Sequence, residues 1–577
     1  MSEETGAGER FAIGISFGNS SSSIAFTGPD GKAEVIANEE GDRQIPSILS
    51  YVDSEEFHGT QAKAQLVRNS KNTVGYFRDY LGKDFKSIDP TPAHQSAHPQ
   101  QHESTVAFTI RDTDAETPST VTVSEITTRH LRRLKQSASD FLGKTVNAAV
   151  ITVPTNFSDA QREALVAAAK NADIEALQLI HEPVAALLAY DARPDAVVED
   201  KLVVIADFGG IRSDVAVVAS RGGMYSVLAT VHDYELGGAN LDQVVIDHFA
   251  KEFIKKHKVD PREDARGLAK LKLEGEATKK ALSIGTNATL SIESLVNGID
   301  YGSTINRTRY ELLSGKIFSQ FTGLVESAVK KAELDVLDID EVILAGGTSH
   351  TPKIARLLQN VFPEKTKVLA PSTTPSAINP SELSARGAAY QASLIQEFDK
   401  EDIEQSLHPM VTVTPHLSKT IGVQLVSADE NAEDAVFAPL VNAETALPAR
   451  RVAQYTVPKE GGDVLVRISE GEREIKVTKP EPKPKAEKSE KDEEDSDSDS
   501  DFDSDEDEEE ETREIIWKST KTIAEAAIKG VKAGGKVEVT ININPDLGLQ
   551  ITAREVGGKG GVRLAVEAPQ ASANGSA

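Results

Sequence analysis

Three glycine-containing turns that join apolar segments constrain the fold of this chain more than any other feature. The first lies in Phe11–Phe26 (FAIGISFGNSSSSIAF) and the second in Val203–Val218 (VVIADFGGIRSDVAVV), each between two strand-like segments. The third, Val342–Leu358 (VILAGGTSHTPKIARLL), leads from a strand through two glycines into an amphipathic helix. Glycine lets backbone N–H groups approach a phosphate, and a nearby carboxylate such as Asp207 can hold a metal ion or its water. Two phosphate-type hairpins followed by an adenosine-type turn therefore predict a nucleotide-binding cleft.

Any one of these turns also has a purely structural interpretation. A strand–glycine–strand hairpin explains the letters around Gly209 and Gly210 without a ligand. The prediction of a cleft therefore depends on all three turns in this order.

Composition limits the other functions that this chain could have. The formal net charge is −28 over 577 residues, and much of it lies in Glu487–Glu511, so no broad basic surface for nucleic acids is expected. That tract is predicted to be a solvated disordered spacer, the alternative being a tail that faces a basic partner or the ribosome. The absence of cysteine excludes disulfides, thiol catalysis and thiolate metal sites. A polar N-terminus and the lack of a membrane-length apolar segment predict a cytoplasmic location.

The pattern of the chain changes near residue 399. Strand and helix patterns alternate up to about Phe398, which predicts an α/β fold. Within this part we predict a helix over Thr73–Leu81, a helix over Thr308–Ala332, and a helix over Asp159–Asn171 that Ser158 caps. Short β-branched segments separated by glycine, proline and asparagine follow, and they predict a β-sandwich.

These patterns divide the chain into six predicted parts. They are a disordered tail (1–9), the α/β domain (10–395), a linker (396–411), a β-sandwich in two pieces (412–478 and 513–568), a disordered acidic insert (479–512) and a C-terminal tail (569–577).

Six ordered motifs resemble those of DnaK-type chaperones of the heat shock protein 70 family. They are IGISFGNSSSSIAF, AVITVPTNFSDAQREAL, IHEPVAALLAY, IADFGGIRSDVAVV, ELGGANLD and LAGGTSHTPKIARLL, and they cover essentially residues 10–395. The resemblance implies an actin-like, two-lobed nucleotide-binding domain followed by a peptide-binding β-sandwich, with ATP as the ligand. Its implied nucleotide-binding residues are Gly18, Asn19, Ser20, Ser21, Arg78, Asp207, Gly209, Gly210, Ile211, Arg212, Glu276, Lys279, Lys280, Ser283, Gly346, Gly347, Thr348 and His350, with the carboxylates of Glu182 and Asp214 also retained.

Several positions depart from the pattern of that family. Ser16 stands where the family has a carboxylate for the hydrated metal, and Arg78 stands where it has the lysine that positions the attacking water. Ile211 and Arg212 replace a glycine and a threonine of the second phosphate turn, and a Leu-Gly-Gly-Glu-Asp turn has become Leu236–Asn240. Phosphoryl transfer to water depends on placing the nucleophile and neutralising the γ-phosphate. The sequence therefore predicts ATP binding with negligible hydrolysis and no catalytic residues, and it leaves the need for magnesium open.

The C-terminal part departs from the family as well. Asp402–Val411 (DIEQSLHPMV) is polar where the family has a leucine-rich linker, so coupling between the domains should be weak. Few residues follow the strand that ends near Val566, so no helical lid is expected. These departures resemble those of the atypical family members in the fungal ribosome-associated complex. The resemblance implies a stable complex with a zuotin-like J-domain protein, indirect contact with ribosomes and nascent chains, and neither membrane nor DNA binding.

The β-sandwich could hold one partner segment in a groove. Weak alignment places Leu417, Ile421, Val423, Phe437 and Leu440 in that groove. The alternative is that these side chains form the ordinary interior of the sandwich.

Three other functions compete with ATP binding without turnover. The first is an active ATP-hydrolysing chaperone of the same family. The second is a sugar or acetate kinase on an actin-like scaffold, which would need a catalytic base and an acceptor pocket. The third is an interaction scaffold whose cleft is empty, and identification of co-purified nucleotide would separate it from the others.

Overall fold

The computed structural model of the chain consists of two compact units, residues 1–413 and 414–577. The structure describes residues 10–88, 96–113, 117–193, 196–197, 199–407, 417, 419–427, 436–443, 445, 447–457, 462–478, 512–558 and 561–566. The predicted tails at 1–9 and 569–577 lie outside these residues, as does the predicted acidic insert apart from residue 512.

The first lobe of the first unit spans residues 10–193. Its strands are β1 (Ala12–Phe17), β2 (Ser21–Thr27), β3 (Ala33–Ile36), β4 (Ile45–Pro46), β5 (Ile48–Val52), β6 (Glu55–His58), β7 (Thr73–Gly75), β8 (Gln100–His102), β9 (Thr105–Ile110), β10 (Ser119–Thr122), β11 (Ala148–Val153) and β12 (Glu175–His181). Its α-helices are α1 (Gly59–Ala64), α2 (Val123–Leu142), α3 (Asp159–Asn171) and α4 (Glu182–Asp191), and its 3₁₀ turns are Gln65–Val67, Ser70–Asn72, Arg78–Tyr80 and Phe85–Ser87.

The second lobe continues from residue 201 to the end of the helical region. Its strands are β13 (Lys201–Phe208), β14 (Ser213–Arg221), β15 (Met224–Asp233), β16 (Asn287–Val296), β17 (Ile299–Asn306), β18 (Glu341–Ala345) and β19 (Lys367–Leu369). The helices of this stretch are α5 (Gly238–His257), α6 (Ala265–Ile284), α7 (Arg307–Leu313), α8 (Gly315–Lys331), α9 (Pro352–Val361), α10 (Leu383–Ile395) and α11 (Lys400–Leu407), with 3₁₀ turns at Val336–Asp338 and Gly347–His350. The last two helices, α10 and α11, pack mainly against elements of the first lobe.

The two lobes repeat one sheet topology. The first sheet has the order β12-β11-β1-β2-β3, with β4 paired to β2, and the second has the order β15-β14-β13-β18-β19. In each sheet an antiparallel hairpin is followed by strands that pair in parallel, β1 with β11 and β13 with β18. The turns after β1 and β13 therefore lie at the carboxyl ends of the central strands, where ligands of α/β sheets usually bind.

Glycine permits close packing of α10 against its neighbours. A Cβ built on Gly14 in β1 would lie 2.2 Å from the backbone nitrogen of Ala389, and one on Gly387 would lie 1.8 Å from the carbonyl oxygen of Ala185 in α4. Real Cβ contacts are never this short. Strand β1 can approach α10, and α10 can approach α4, only because Gly14 and Gly387 carry no side chain.

Two of the three helix predictions need correction. The predicted cap of α3 is confirmed, because Ser158 and Gln161 form a reciprocal capping box. The helix predicted over Thr73–Leu81 is wrong, because Thr73–Gly75 pairs with β5, Tyr76 has a φ of +56°, and only a short 3₁₀ turn follows. The predicted helix over Thr308–Ala332 is divided into α7 and α8 at Ser314.

The second unit contains strands only, as far as it is described. They are β20 (Thr420–Ser427), β21 (Ala438–Val441), β22 (Ala449–Thr456), β23 (Gly462–Thr478), β24 (Thr512–Val531), β25 (Lys536–Ile543), β26 (Leu549–Glu555) and β27 (Gly561–Val566). They form two antiparallel sheets, β21-β20-β23-β24 and β22-β25-β26-β27, whose apolar residues share one hydrophobic core. The long strand β24 was not predicted from the sequence.

The candidate groove residues of this unit are mostly enclosed. Leu417, Ile421, Val423 and Phe437 are buried and Leu440 is half-buried. A Cβ on Gly422 or Gly471 would lie 2.3 Å from the ring of Phe437, so that ring covers both glycines. This burial favours the interior alternative for these four side chains and leaves Leu440 as the more accessible candidate.

The predicted linker is partly helical. Helix α11 occupies 400–407, where Ile403 is buried and Ser406 Oγ donates a hydrogen bond to the carbonyl of Leu177. These eight residues thus pack onto the first unit. Among the described helices, none has the length and apolar character needed to cross a membrane.

Candidate functional site

The turns of the two predicted phosphate hairpins lie next to each other in the first unit. The turn of residues 18–21 follows β1 and the turn of residues 209–212 follows β13. A Cβ on Gly210 would lie 2.6 Å from Ser20 Oγ, and one on Gly209 would lie 2.8 Å from the carbonyl oxygen of Arg212. Glycine at position 210 thus lets the second turn lie against the Ser20 side chain of the first, and glycine at position 209 lets the second turn close on itself.

The third glycine turn lies against the second hairpin. Gly346 has a φ of +80°, and a Cβ there would lie 2.4 Å from Asp207 Oδ1. The hydroxyl of Thr348 donates to the carbonyl of Gly209 at 2.8 Å. Both features bring the predicted adenosine-type turn and the second phosphate-type turn together, as the sequence predicts for one cleft.

The turn before α5 also supports the second hairpin. The N–H groups of Gly238 and Ala239 donate to the carbonyls of Gly209 and Gly210 at 3.0 and 2.7 Å. Asn240 Oδ1 accepts from the N–H of Gly237 at 2.8 Å and completes the start of the helix. The N-terminal amides of α5 are therefore used to hold the hairpin.

The predicted residues of α6 form charged pairs at the edge of the cleft. Glu276 accepts from Lys63 of the first lobe at 2.6 Å and forms an ion pair with Lys280 at 2.7 Å. Burial alone would raise the pKa of Glu276, but these two lysines outweigh it and lower the pKa to about 2. Lys279 is buried, with Nζ 2.8 Å from Asp242 Oδ1 and 3.0 Å from the carbonyl of Gly238.

The remaining predicted residues lie beside the third turn or at the end of α6. His350 Nε2 lies 3.1 Å from Ser381 Oγ, and burial lowers the pKa of this histidine. A Cβ on Gly347 would be 3.7 Å from the same hydroxyl, and Ser283 is half-buried near the end of α6. The imidazole of His350 is therefore neutral near pH 7.

A buried chain of polar side chains supports the first hairpin from behind. Ser47 Oγ donates to the carbonyl of Gly18 at 2.8 Å and lies 3.0 Å from Ser22 Oγ. Ser22 is 2.9 Å from His130 Nε2, and His130 Nδ1 is 2.6 Å from His58 Nε2. Burial and then the charge of Arg133 lower the pKa of His58 to about 3, so this chain holds the turn with neutral groups.

Asn19 fixes the first hairpin to the segment that carries Arg78. Its Oδ1 accepts from the backbone N–H of Arg78 at 3.1 Å, and its Nδ2 donates to Asp79 Oδ2 at 3.2 Å. Asn19 is buried, and both ends of its amide are thus used within the protein.

Arg78 is enclosed by carboxylates. Nη1 donates to Glu182 Oε1 at 2.9 Å and to the carbonyl of Phe17 at 3.2 Å, while Nε donates to Asp79 Oδ1 at 2.9 Å. Its side chain is 4% exposed. Burial opposes the charge of Arg78, but Asp79 and Glu182 outweigh burial and raise the pKa of this guanidinium, which therefore stays charged.

Arg212 binds Asp214 with two nitrogens. Nε donates to Asp214 Oδ2 at 2.8 Å, and Nη2 donates to Oδ1 of the same carboxylate. Nη1 contacts Asp79 Oδ2 at 3.4 Å and Nη2 contacts Asn156 Oδ1 at 3.3 Å. The guanidinium also stacks 4.5 Å from the ring centre of Tyr234. Arg212 is therefore a fixed cation at the tip of the second hairpin.

The carboxylates of the cleft have opposite pKa shifts. Burial, with Glu182 and Asp214 nearby, raises the pKa of Asp207 to about 8. Burial would also raise the pKa of Asp214, but a hydrogen bond with His232 and the charge of Arg212 lower it. His232 Nδ1 lies 2.5 Å from Asp214 Oδ1. Asp214 is thus ionised near neutral pH, whereas Asp207 is largely protonated.

The donor groups fit a polyphosphate but not magnesium. Magnesium requires six oxygen ligands at about 2.0–2.1 Å in near-octahedral geometry. Both oxygens of Asp214 already accept N–H groups, Ser16 offers only a hydroxyl, and the described residues contain no cluster of three metal-ligating side chains. A divalent ion 4 Å from the guanidinium of Arg212 would meet a repulsion of roughly 8 kcal/mol at an effective dielectric constant of about 20.

Four residues around Arg212 were not predicted from the sequence. They are Asp79, Asn156, His232 and Tyr234. Asp79 could have been suspected because it follows Arg78 directly. Asn156 lies in one of the quoted motifs, but nothing in that motif points to Arg212, while His232 and Tyr234 lie together at the end of β15, where no local motif marks them.

Comparisons with known proteins show which family and which relatives this chain resembles. The model of the family described as "Hsp70 protein" matches residues 12–483. The "Ribosome-associated complex subunit SSZ1" of Saccharomyces cerevisiae is 44% identical over 545 residues, which are 94% of this chain and 97% of that protein. A heat shock protein 70 homolog of Schizosaccharomyces pombe is 48% identical over 472 residues, 81% of each chain. The "Heat shock 70 kDa protein 14" of Danio rerio is 32% identical over 464 residues, 79% of this chain and 87% of that protein.

Proposed function

This chain belongs to the Hsp70 family, and on that premise we propose that it binds ATP in its cleft but does not appreciably hydrolyse it. We further propose that it forms a stable complex with a J-domain protein of the zuotin type. In that complex it assists the co-translational folding of nascent chains, as a cytoplasmic, ribosome-associated subunit. The alternative function is an active ATP-hydrolysing chaperone of the same family.

The arginine pair in the cleft is the single observation that carries the proposal on hydrolysis. Arg78 stands where the family has the lysine that positions the attacking water, and Arg212 stands where it has a water-positioning threonine. Each is bound to carboxylates and almost fully buried, so neither can release a carboxylate to orient a nucleophile without breaking a buried ion pair. Removing one partner from a buried pair typically costs about 3–5 kcal/mol. Phosphoryl transfer depends mainly on such positioning, so turnover should be very slow.

Binding of ATP is supported by the groups that remain. The turns of residues 18–21 and 209–212 both need glycine to close, because a Cβ on Gly18 or Gly209 would lie 2.2 or 2.8 Å from the carbonyl oxygen at the other end of its turn, and the third turn keeps Gly346 at a positive φ. Helix α6 adds Lys280 at the edge of the cleft. Backbone amides and cations of this kind bind phosphates without any catalytic group.

The assignment to a ribosome-associated complex rests on similarity over nearly the whole chain. The yeast subunit aligns over 94% of this chain, including the C-terminal unit. The departures at Ser16, Arg78 and Arg212 also agree with an atypical member of the family. Co-purification of the native protein with ribosomes and a J-domain protein would test this part independently.

A single-turnover assay tests the proposal on hydrolysis. The purified protein should retain or bind stoichiometric ATP, and it should release little phosphate whether or not a J-domain protein is added. An ordinary Hsp70 with the family's lysine and threonine serves as the positive control. Phosphate release comparable to that control would establish the active chaperone instead. Failure to bind any nucleotide would favour the scaffold function.

We also propose that the second unit binds one dedicated partner segment. The edge strands of its described sheets, such as β21 with the half-buried Leu440, can accept an extended peptide by main-chain pairing. Such a site would hold its partner by strand pairing and by apolar pockets.

Serine substitutions separate interior residues from contact residues in this unit. Because Ile421 and Phe437 are buried, Ile421→Ser and Phe437→Ser should lower the free energy of unfolding by about 3 kcal/mol or more. Leu440→Ser should lower the free energy of unfolding by less than the other two substitutions. It should, however, weaken binding of the J-domain partner in a pull-down titration. Unchanged partner affinity in all three variants, with the fold intact, would rule out docking at this site.

A further inference from the structure

The acidic groups of the cleft are neutralised by the chain itself. The carboxylates of Asp79 and Asp214 lie between the two phosphate hairpins, where each is bound by a guanidinium group. In a cleft without Arg212 these two carboxylates would repel the phosphates of a nucleotide, and a bound cation would be needed to offset them. Here a covalently attached cation already does so.

The position of Arg212 is fixed by contacts on several sides. Its side chain is 7% exposed, it binds Asp214 through two nitrogens, and it stacks on the ring of Tyr234. Asn156 Oδ1 accepts a further hydrogen bond from Nη2 at 3.3 Å. Bidentate arginine–carboxylate pairs are strong and geometrically specific. A metal ion would have to displace this group to reach either oxygen of Asp214.

From this arrangement we propose that the cleft binds a nucleoside triphosphate without a divalent cation, with Arg212 in the place of the ion. This inference rests on the proposed binding of ATP. The backbone amides of the two hairpins contact the phosphates, and the guanidinium groups of Arg78 and Arg212 offset the negative charge of the carboxylates beside them. Magnesium bound to ATP in solution is then not required for binding.

Titration of the wild-type protein with ATP tests the inference directly. The dissociation constant is measured by calorimetry after removal of bound nucleotide, once with excess magnesium and once with excess EDTA. We expect the two values to agree within about threefold. A loss of affinity of tenfold or more in EDTA would overturn the inference while leaving ATP binding intact. Absence of binding in both buffers would overturn the proposed function and the inference together.

Replacement of Arg212 should make ATP binding depend on magnesium. Arg212→Thr frees Asp214 and removes the cation, so this variant should bind ATP at least tenfold more weakly in EDTA and should recover on addition of magnesium. Arg554→Thr is the matched control, because Arg554 lies on β26 of the second unit with an exposed side chain whose Nε donates to Glu538 Oε1 at 2.8 Å. It should bind ATP as the wild type does in both buffers.

A direct metal measurement covers the case in which Arg212→Thr folds poorly. Titration of the nucleotide-free wild-type protein with manganese, followed by electron paramagnetic resonance, should show no ion bound at stoichiometric concentrations. Tight binding of one manganese ion that Arg554→Thr keeps and Asp214→Asn abolishes would contradict the inference.

Discussion

Asp207 is a carboxylate of the cleft that its surroundings keep largely protonated at neutral pH. Its pKa is raised to about 8 by burial and by the neighbouring Glu182 and Asp214. In the unfolded chain the group ionises near pH 4, so between pH 4 and 8 the folded protein binds more protons than the unfolded chain. The Asp207 carboxyl therefore contributes to the free energy of unfolding below pH 4, and this contribution is lost as the pH rises through about 8.

Asp207→Asn should remove this dependence on pH. We expect the free energy of unfolding of the variant minus that of the wild type to be larger at pH 9 than at pH 6 by about 3 kcal/mol, since the wild type loses about two pKa units of stabilisation over this range and each corresponds to about 1.4 kcal/mol. Urea denaturation at both pH values measures this difference. Asp140→Asn, at an exposed position on α2, provides the control for the loss of one surface carboxylate. A constant difference for Asp207→Asn would show that Asp207 is ionised in the fold throughout this range.

At the scale of residues, the sequence identified several residues of the cleft but not which side chains they pair with. Gly209, Gly346 and Arg212 could be found because turn chemistry and motif order mark them. The partners of Arg212 could not be found, because Asn156 and Tyr234 reach it from different elements. Whether an arginine points at phosphate, solvent or a carboxylate is decided by such tertiary contacts.

At the scale of elements, the contact between α10 and α4 depends on a missing side chain. Gly387→Ala would place a Cβ 1.8 Å from the carbonyl oxygen of Ala185, so the helices would have to separate. Overpacking of this kind costs typically about 1–3 kcal/mol. Gly323→Ala in α8 is the matched control, because nothing lies within 4 Å of its Cβ position and helix propensity should stabilise it by about 0.5–1 kcal/mol.

Thermal unfolding of the two variants gives opposite expected shifts. The transition midpoint should fall for Gly387→Ala and should stay or rise for Gly323→Ala. Equal stabilisation by both substitutions would mean that the helices are not in close contact at Gly387.

The elements that sequence analysis missed share a physical cause. The stretch Thr73–Leu81 has helical spacing, but the pairing of Thr73–Gly75 with β5 and the positive φ of Tyr76 override it. Strand β24 contains alanine and lysine where β-branched residues would mark a strand, and pairing with β23 along its length decides its conformation instead. The hairpins β1–β2 and β13–β14 were predicted because local composition and tertiary pairing agree there.

At the scale of the whole molecule, negative charge is concentrated in one part of the sequence. The chain carries 91 acidic and 63 basic residues, and Glu487–Glu511 holds much of the excess. This tract lies outside the described residues, between β23 and β24. The ends of those strands pair with each other, Thr478 with Thr512. The hairpin is therefore already closed at the two ends of the connection that contains the tract.

Deletion of residues 489–511 should therefore leave the second unit folded. The connection between β23 and β24 becomes roughly threefold shorter, which lowers the entropy cost of closing it by about 1 kcal/mol. Loss of like charges acts in the same direction, and a tract with a single aromatic residue has no apolar surface to contribute to a core. We expect the midpoint of thermal unfolding to be unchanged or to rise by about 2–4 °C. A second variant that keeps the length and replaces the acidic residues by serine separates charge from loop length. A fall of the midpoint by more than about 5 °C in the deletion variant would show that the tract packs against the folded protein.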